Sequence, residues 1–161
     1  MDPTSPEAQA ELARRHKAAA TTVLGLLVAT VLLSVLAFLG KPYFTVRDNP
    51  PLYFAVRIII LMFGFGSVAW RRTKFHPMRL QDIVGLAGVT GLLKTLEKTT
   101  IQIALFGAAI AATGFIATLM TGDAGYSYLA GAVAALVLIY CYPTKSSWLR
   151  ALYRFTEKPA S

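Results

Sequence analysis

The sequence is short of charge, and shortest of acid. Only 15% of its 161 residues are charged, and carboxylates account for eight positions against sixteen Lys and Arg. A soluble domain typically carries about 25% charged residues, so the composition argues against a water-exposed surface over most of the molecule. One cysteine, Cys141, excludes an intrachain disulfide. Together with His16 and His76 it makes no metal-binding spacing, and it reads as a small buried hydrophobe. Phosphate-cradling glycine loops, nucleophile elbows and zinc spacings are missing as well. No catalytic residue, cofactor or metal ligand is therefore assigned, and the chain reads as non-catalytic.

What is present in quantity is apolar surface: 55% of the residues are hydrophobic and the mean hydropathy is +0.55. The most telling stretch is Thr99 to Thr144, two apolar runs joined at Gly122-Asp123-Ala124-Gly125, with Asp123 its only carboxylate. As a helix, Thr99–Gly122 spans ~36 Å at ~1.5 Å per residue, more than the ~20 apolar residues that cross a bilayer. Backbone in hydrocarbon must satisfy its own hydrogen bonds, which leaves two helices in a tight hairpin. Ala18–Gly40 and Pro51–Trp70 are two further runs of this kind. Val35-Leu36-Ala37 mimics a signal cleavage site, but the run Ala18–Gly40 is much longer than the ~7–15 residues of a signal core.

The expected fold is thus all-α: a polytopic membrane protein with four transmembrane helices, at about 18–40, 51–70, 99–122 and 124–144. Residues 1–17 form a polar N-terminal segment. Its Ser5-Pro6-Glu7 reads as a helix start, with Ser as cap, Pro in the first turn and acid at the positive end; that helix can run on into the first span. Residues 71–98 form the longest polar segment. Within Met78–Leu96 the apolar residues Leu80, Ile83, Val84 and Ala87 fall on one helical face, which predicts an interfacial helix lying on the inner leaflet. Gly85, Gly88 and Gly91 weaken it. Residues 145–161 are a basic tail containing Trp148, Tyr153 and Phe155.

An excess of +8 would suggest nucleic acid in a soluble protein, but here the basic residues sit between apolar runs. Three Lys and Arg precede the first span, six occupy 71–98 and four follow the last span, against two between the first pair of spans and none at the hairpin. Positive residues stay on the cytoplasmic side, so both termini are expected there. Arg71, Arg72, Lys74 and Arg79 are the expected contacts to phospholipid headgroups, and no nucleic-acid partner is expected.

Two polar residues fall within spans. Arg57 costs at least ~2.5–3.5 kcal/mol at mid-bilayer, but lies only ~7–9 Å from the outer boundary and can snorkel to it, or pair with Asp48 or Asp123. Gln102 can hydrogen-bond to a neighbouring helix. Beside it, Glu97 is expected to pair with Lys94 at i,i+3, and Asp82 to be solvated. Small residues recur at helical spacing: Ala104, Ala108 and Ala112 in one row, Gly107, Ala111, Gly114 and Thr118 in the next, then Ala130 with Ala134 and Gly131 with Ala135. Small residues let helix backbones approach in lipid. Because they occupy more than one face, contacts to other membrane subunits or to copies of itself are expected.

Gly114–Asp123, with the basic exit from Tyr142-Pro143-Thr144-Lys145 to Trp148, resembles the C-terminal part of small bacterial four-span membrane proteins of unassigned function. That likeness implies a bacterial cytoplasmic membrane. The Ala- and Gly-rich hairpin is also similar to the proteolipid hairpins of rotary ATPases, which implies their packing mode. Those hairpins carry an ion on a mid-membrane carboxylate, whereas Ala132–Val137 here contain none. The function expected is a non-catalytic structural or accessory subunit of a larger membrane assembly. The alternative is a homo-oligomeric channel or transporter lined by Arg57, Gln102 and Glu97.

Overall fold

The computed structural model describes residues 5–43 and 50–156. Among them the chain is helical with no strand: α1 (Pro6–Gly40), a 3-10 turn (Lys41–Tyr43), α2 (Pro50–Lys74), α3 (Pro77–Thr121), α4 (Gly125–Cys141) and α5 (Lys145–Thr156). Helices α1, α2 and α3 are each long and apolar enough to cross a membrane; α4 adds a fourth if counted with α5, from which it is bent by 45°.

Helix α1 begins as its residues dictate. Ser5 Oγ accepts the Ala8 N–H at 3.2 Å, Pro6 opens the helix and Glu7 sits in the first turn. No Gly or Pro stands between Glu7 and Leu24, so the polar segment and the first apolar run form one helix of 35 residues.

Helix α3 departs from expectation. The predicted interfacial helix over Met78–Leu96 does not exist as a separate unit. A kink stands at Gly88, whose φ of 63° and ψ of −165° suit a residue without Cβ. From Val89 onward the helix continues unbroken to Thr121. Leu92, Leu93 and Leu96 are fully buried, sharing one cluster with Ala8 and Leu12 of α1 and with Trp148 and Leu152 of α5. These leucines lie beyond the expected apolar face, of which Ile83 and Val84 are half-buried. Only Pro77–Ala87 stands apart from the main axis, and there Leu80 alone is fully buried, with Ala87 exposed.

The α3–α4 hairpin is the spine. Both α1 and α2 pack against α3 and α4, yet among the described residues they do not contact each other. The spine closes where Gly114 meets α4: a Cβ there would overlap that of Ala130 and lie 2.7 Å from the Tyr126 carbonyl oxygen. Its turn is knotted by Thr118, which is fully buried. Thr118 Oγ1 donates to the Asp123 carbonyl and accepts the Ser127 N–H, both at 3.1 Å. Gly122 takes the left-handed conformation (φ 76°) that ends α3, its N–H reaching the Thr118 carbonyl at 2.8 Å. Asp123 Oδ1 accepts the Gly125 N–H at 2.8 Å, so the acid caps the turn.

The other hydroxyls in the apolar runs look after themselves. Thr22, Thr30, Ser34, Ser67, Thr113 and Thr121 each donate to the carbonyl four residues back, at 2.7–3.2 Å. Among the described residues no buried side-chain polar atom lacks a partner. The outer surface is bulky and apolar: Leu32 and Phe38 on α1, Met62 and Phe65 on α2, Ile116 and Met120 on α3, and Leu136 and Ile139 on α4 are all exposed. Apolar patches on soluble monomers seldom exceed a few hundred Å².

Gly114→Ala is expected to lower thermal stability in detergent by about 1–3 kcal/mol, the usual cost of forcing a methyl into a packed contact. Gly25→Ala, where a Cβ meets nothing within 4 Å, is the control and should be neutral or mildly stabilising. Equal melting temperatures for the two variants would contradict the Gly114 contact.

Candidate functional site at the basic end

Both ends of the described chain and the α2–α3 junction meet at one end of the bundle. Leu12, Leu80, Leu92, Leu93, Leu96, Trp148 and Leu152 bury one another there, with Phe75 against them. This is a small core of the kind found in water-soluble proteins. The helix α5 that supplies part of it goes beyond the expected basic tail. Its signal was available: Trp148 and Leu152 stand four apart in a polar segment that follows Pro143, and such a pair marks one helical face.

Ionic and aromatic contacts frame this core. Arg15 donates from Nη1 to Glu97 Oε2 and from Nε to Glu11 Oε1, each at 2.6 Å, so one guanidinium ties α1 to α3. Glu11 also accepts two bonds from Arg14 at 3.0 Å. The Arg14 and then the Arg15 hydrogen bonds hold the Glu11 carboxyl below its ordinary range. His16 Nε2 lies 2.8 Å from the Pro143 carbonyl oxygen, and the imidazole stands edge-on to Trp148 with centroids 5.6 Å apart. The carbonyl left free where Pro143 follows α4 thereby gains a partner from α1.

The expected Lys94–Glu97 pair is replaced. Glu97 faces α1, where Arg15 takes it, while Lys94 and Lys98 turn toward a cavity on the other side. That cavity, about 370 Å³, lies between the end of α2 and the kinked start of α3. Lys74, Arg79, Lys94, Lys98 and Gln102 converge on it. Of the four residues expected at lipid headgroups, Lys74 and Arg79 line the cavity. Arg71 is half-buried, its guanidinium 4.5 Å above the Tyr140 ring, and Arg72 is exposed. Lys94 and Lys98 were missed because spacing along a helix does not reveal which lysines turn toward a second helix.

Arg57 and Asp123 form no ion pair, and Asp48 lies outside the described residues. The Arg57 guanidinium instead stacks on Tyr53, 3.7 Å from the ring centroid and one turn nearer the start of α2. Tyr53 in turn meets Tyr126 of α4 edge-on at 5.7 Å. Helical side chains lean toward the N-terminus, which here carries the charge toward the hairpin end of the bundle.

The small residues lie at helix contacts. Ala104, Gly107, Ala111, Gly114, Ala130, Gly131 and Ala134 are buried, and Ala108 is half-buried. A Cβ at Gly107 would press on Leu138 at 3.1 Å. The second small face of α4, which suggested another chain, is taken within this one: Gly131 receives Ser34 of α1 against its backbone. Ala104 joins Val23 and Leu138 where α1, α3 and α4 meet. On α2 the equivalent contact is Gly64, where a Cβ would lie 2.9 Å from Val133.

No family model matches this chain, and neither a curated protein nor a solved structure is similar to it.

Arg15→Ala and Glu97→Ala, combined in a double-mutant cycle, are expected to show a coupling of about 1 kcal/mol in thermal unfolding. That exceeds a typical exposed pair because both side chains are largely covered. Additive single effects would contradict the clasp.

Proposed function

We propose that this chain is a four-span membrane protein acting as a non-catalytic structural or accessory component of a larger membrane assembly. Its basic end faces the cytoplasm. Helices α1, α2, the Thr99–Thr121 part of α3, and α4 make the crossings; α4 alone, at ~26 Å, matches the thin end of a bilayer's hydrocarbon. Both termini then share the side that carries thirteen of the sixteen Lys and Arg.

The observation that carries this reading is how the polar groups are spent. Arg15, Glu97, Glu11 and His16 hold helices together at the basic end. Thr118 and Asp123 hold the turn, and Thr22, Thr30, Ser34, Ser67, Thr113 and Thr121 bond to their own helix backbones. The grooves along the apolar region are lined almost wholly by apolar atoms and open outward. On helix α2, Phe54, Ile58, Met62 and Phe65 form an exposed face, a suitable surface for another membrane subunit.

A channel would require Arg57, Gln102 and Glu97 along one path. Arg57 sits near the hairpin end on Tyr53, Gln102 opens on the basic cavity, and Glu97 is engaged by Arg15. That dispersal favours the accessory reading.

Purified in mild detergent at native abundance, the protein should migrate with a stoichiometric larger complex and confer no flux on liposomes by itself. Migration only with itself, together with ion or solute flux that Arg57→Ala abolishes, would overturn the proposal in favour of a channel.

A further inference from the structure

The basic cavity stands out because its charge is uncompensated. Lys74, Arg79, Lys94 and Lys98 surround about 370 Å³ with no carboxylate among the lining residues. Residues 71–98 contain two acids, Asp82 and Glu97. Asp82 is exposed and does not line the cavity, and Glu97 is bonded to Arg15. Among the described residues none of the four cations has an ion-pair partner. Gathering like charges costs free energy that a bound anion relieves. Gln102 and Thr99 add neutral groups able to hydrogen-bond to the same cavity, whereas the Thr95 hydroxyl donates to the Gly91 carbonyl at 2.9 Å.

A second feature adjoins it. Between α2 and α3 runs an apolar groove of about 280 Å³, floored by Gly66 and walled by Met62, Phe63 and Phe106. Ser67 also lines it, with its hydroxyl committed to the Phe63 carbonyl at 2.7 Å. Trp70 belongs to both cavity and groove, and Lys74 Nζ lies 4.9 Å from its ring centroid. A cationic chamber thus opens through one indole onto an apolar trough that runs toward the middle of the bundle. Indole rings favour the level where headgroups meet acyl chains.

We infer that this pair of features binds one anionic phospholipid, its phosphate among Lys74, Arg79, Lys94 and Lys98 and an acyl chain in the groove beside Gly66. The inference rests on the membrane reading above. A soluble phosphoryl anion would use the chamber but would leave the groove without a role; a phospholipid uses both. A zwitterionic lipid would bring a choline against four cations, so the site selects for net negative headgroups.

The test uses the full chain in neutral detergent, with retained lipid measured by native mass spectrometry. The probes are phosphatidylglycerol, phosphatidylcholine and inorganic phosphate. Phosphatidylglycerol should be retained in preference to phosphatidylcholine. Lys94→Gln with Lys98→Gln should weaken it on the order of twenty-fold, at about five-fold per cation near a phosphate, while Lys94→Arg with Lys98→Arg should retain it. Gly66→Leu fills the groove at a position where a Cβ meets nothing within 4 Å; it should weaken phosphatidylglycerol several-fold without touching the cations. Equal retention of the two lipids, or indifference to the double Gln variant, would overturn the inference. So would intact phosphatidylglycerol binding in Gly66→Leu with displacement by inorganic phosphate, which would assign the chamber to a soluble phosphoryl group. Flotation with phosphatidylcholine vesicles separates this from the membrane reading. A chain that floats but does not discriminate loses only the lipid site; one that floats with no vesicle loses both.

Discussion

The structure depends on how closely α3 and α4 approach one another. At Gly114 the backbones come near enough that a single methyl would meet the Ala130 side chain and the Tyr126 carbonyl. Four residues on, Thr118 ties the turn from inside with two hydrogen bonds. Helices in lipid gain nothing from leaving water, so association rests on dispersion contacts and on polar groups finding partners. A hairpin that makes both is a frame on which α1 and α2 can be laid from either side without touching each other. Ser34 against Gly131 and Val133 against Gly64 are the points where they are laid on.

A different physics governs the basic end. Leucines at 12, 92, 93, 96 and 152, with Trp148, bury one another as they would in a small soluble domain. Burying a large aliphatic side chain from water contributes roughly 1.5–3 kcal/mol, so in the proposed arrangement this end coheres through exclusion of water. Helices α1 and α3 run from this leucine cluster into the apolar bundle. Arg15, joined to both Glu11 and Glu97, fixes their relative position at the change-over. Outside that clasp Lys74, Arg79, Lys94 and Lys98 face one cavity with no carboxylate among its lining residues.

Much of this could be read in the residues. Long apolar runs, the Gly122–Gly125 turn, the Ser5-Pro6-Glu7 start and the small-residue rows are local patterns, and local patterns survive folding. What could not be read depended on pairing across the chain. Glu97 has a lysine three residues away, yet its partner is 82 residues distant. Of Gly85, Gly88 and Gly91, only Gly88 takes positive φ, which their even spacing does not single out. The multiplicity of small faces suggested other chains, but α1 covers one of them. Arg57 was marked by its place in an apolar run and Tyr53 by its place at the outer boundary, but neither mark says that the guanidinium stacks on that ring.

Side-specific labelling tests the arrangement most directly. In a Cys141→Ala background, single cysteines at Ser146, in the first turn of α5, and at Tyr43, beyond α1, would be exposed to an impermeant thiol reagent in intact cells and in inverted vesicles. Ser146→Cys should react only in inverted vesicles and Tyr43→Cys only in intact cells, while Glu7→Cys follows Ser146→Cys. Reaction of Glu7→Cys and Ser146→Cys from opposite sides would mean an odd number of crossings, and the hairpin spine with its shared basic end would have to be abandoned.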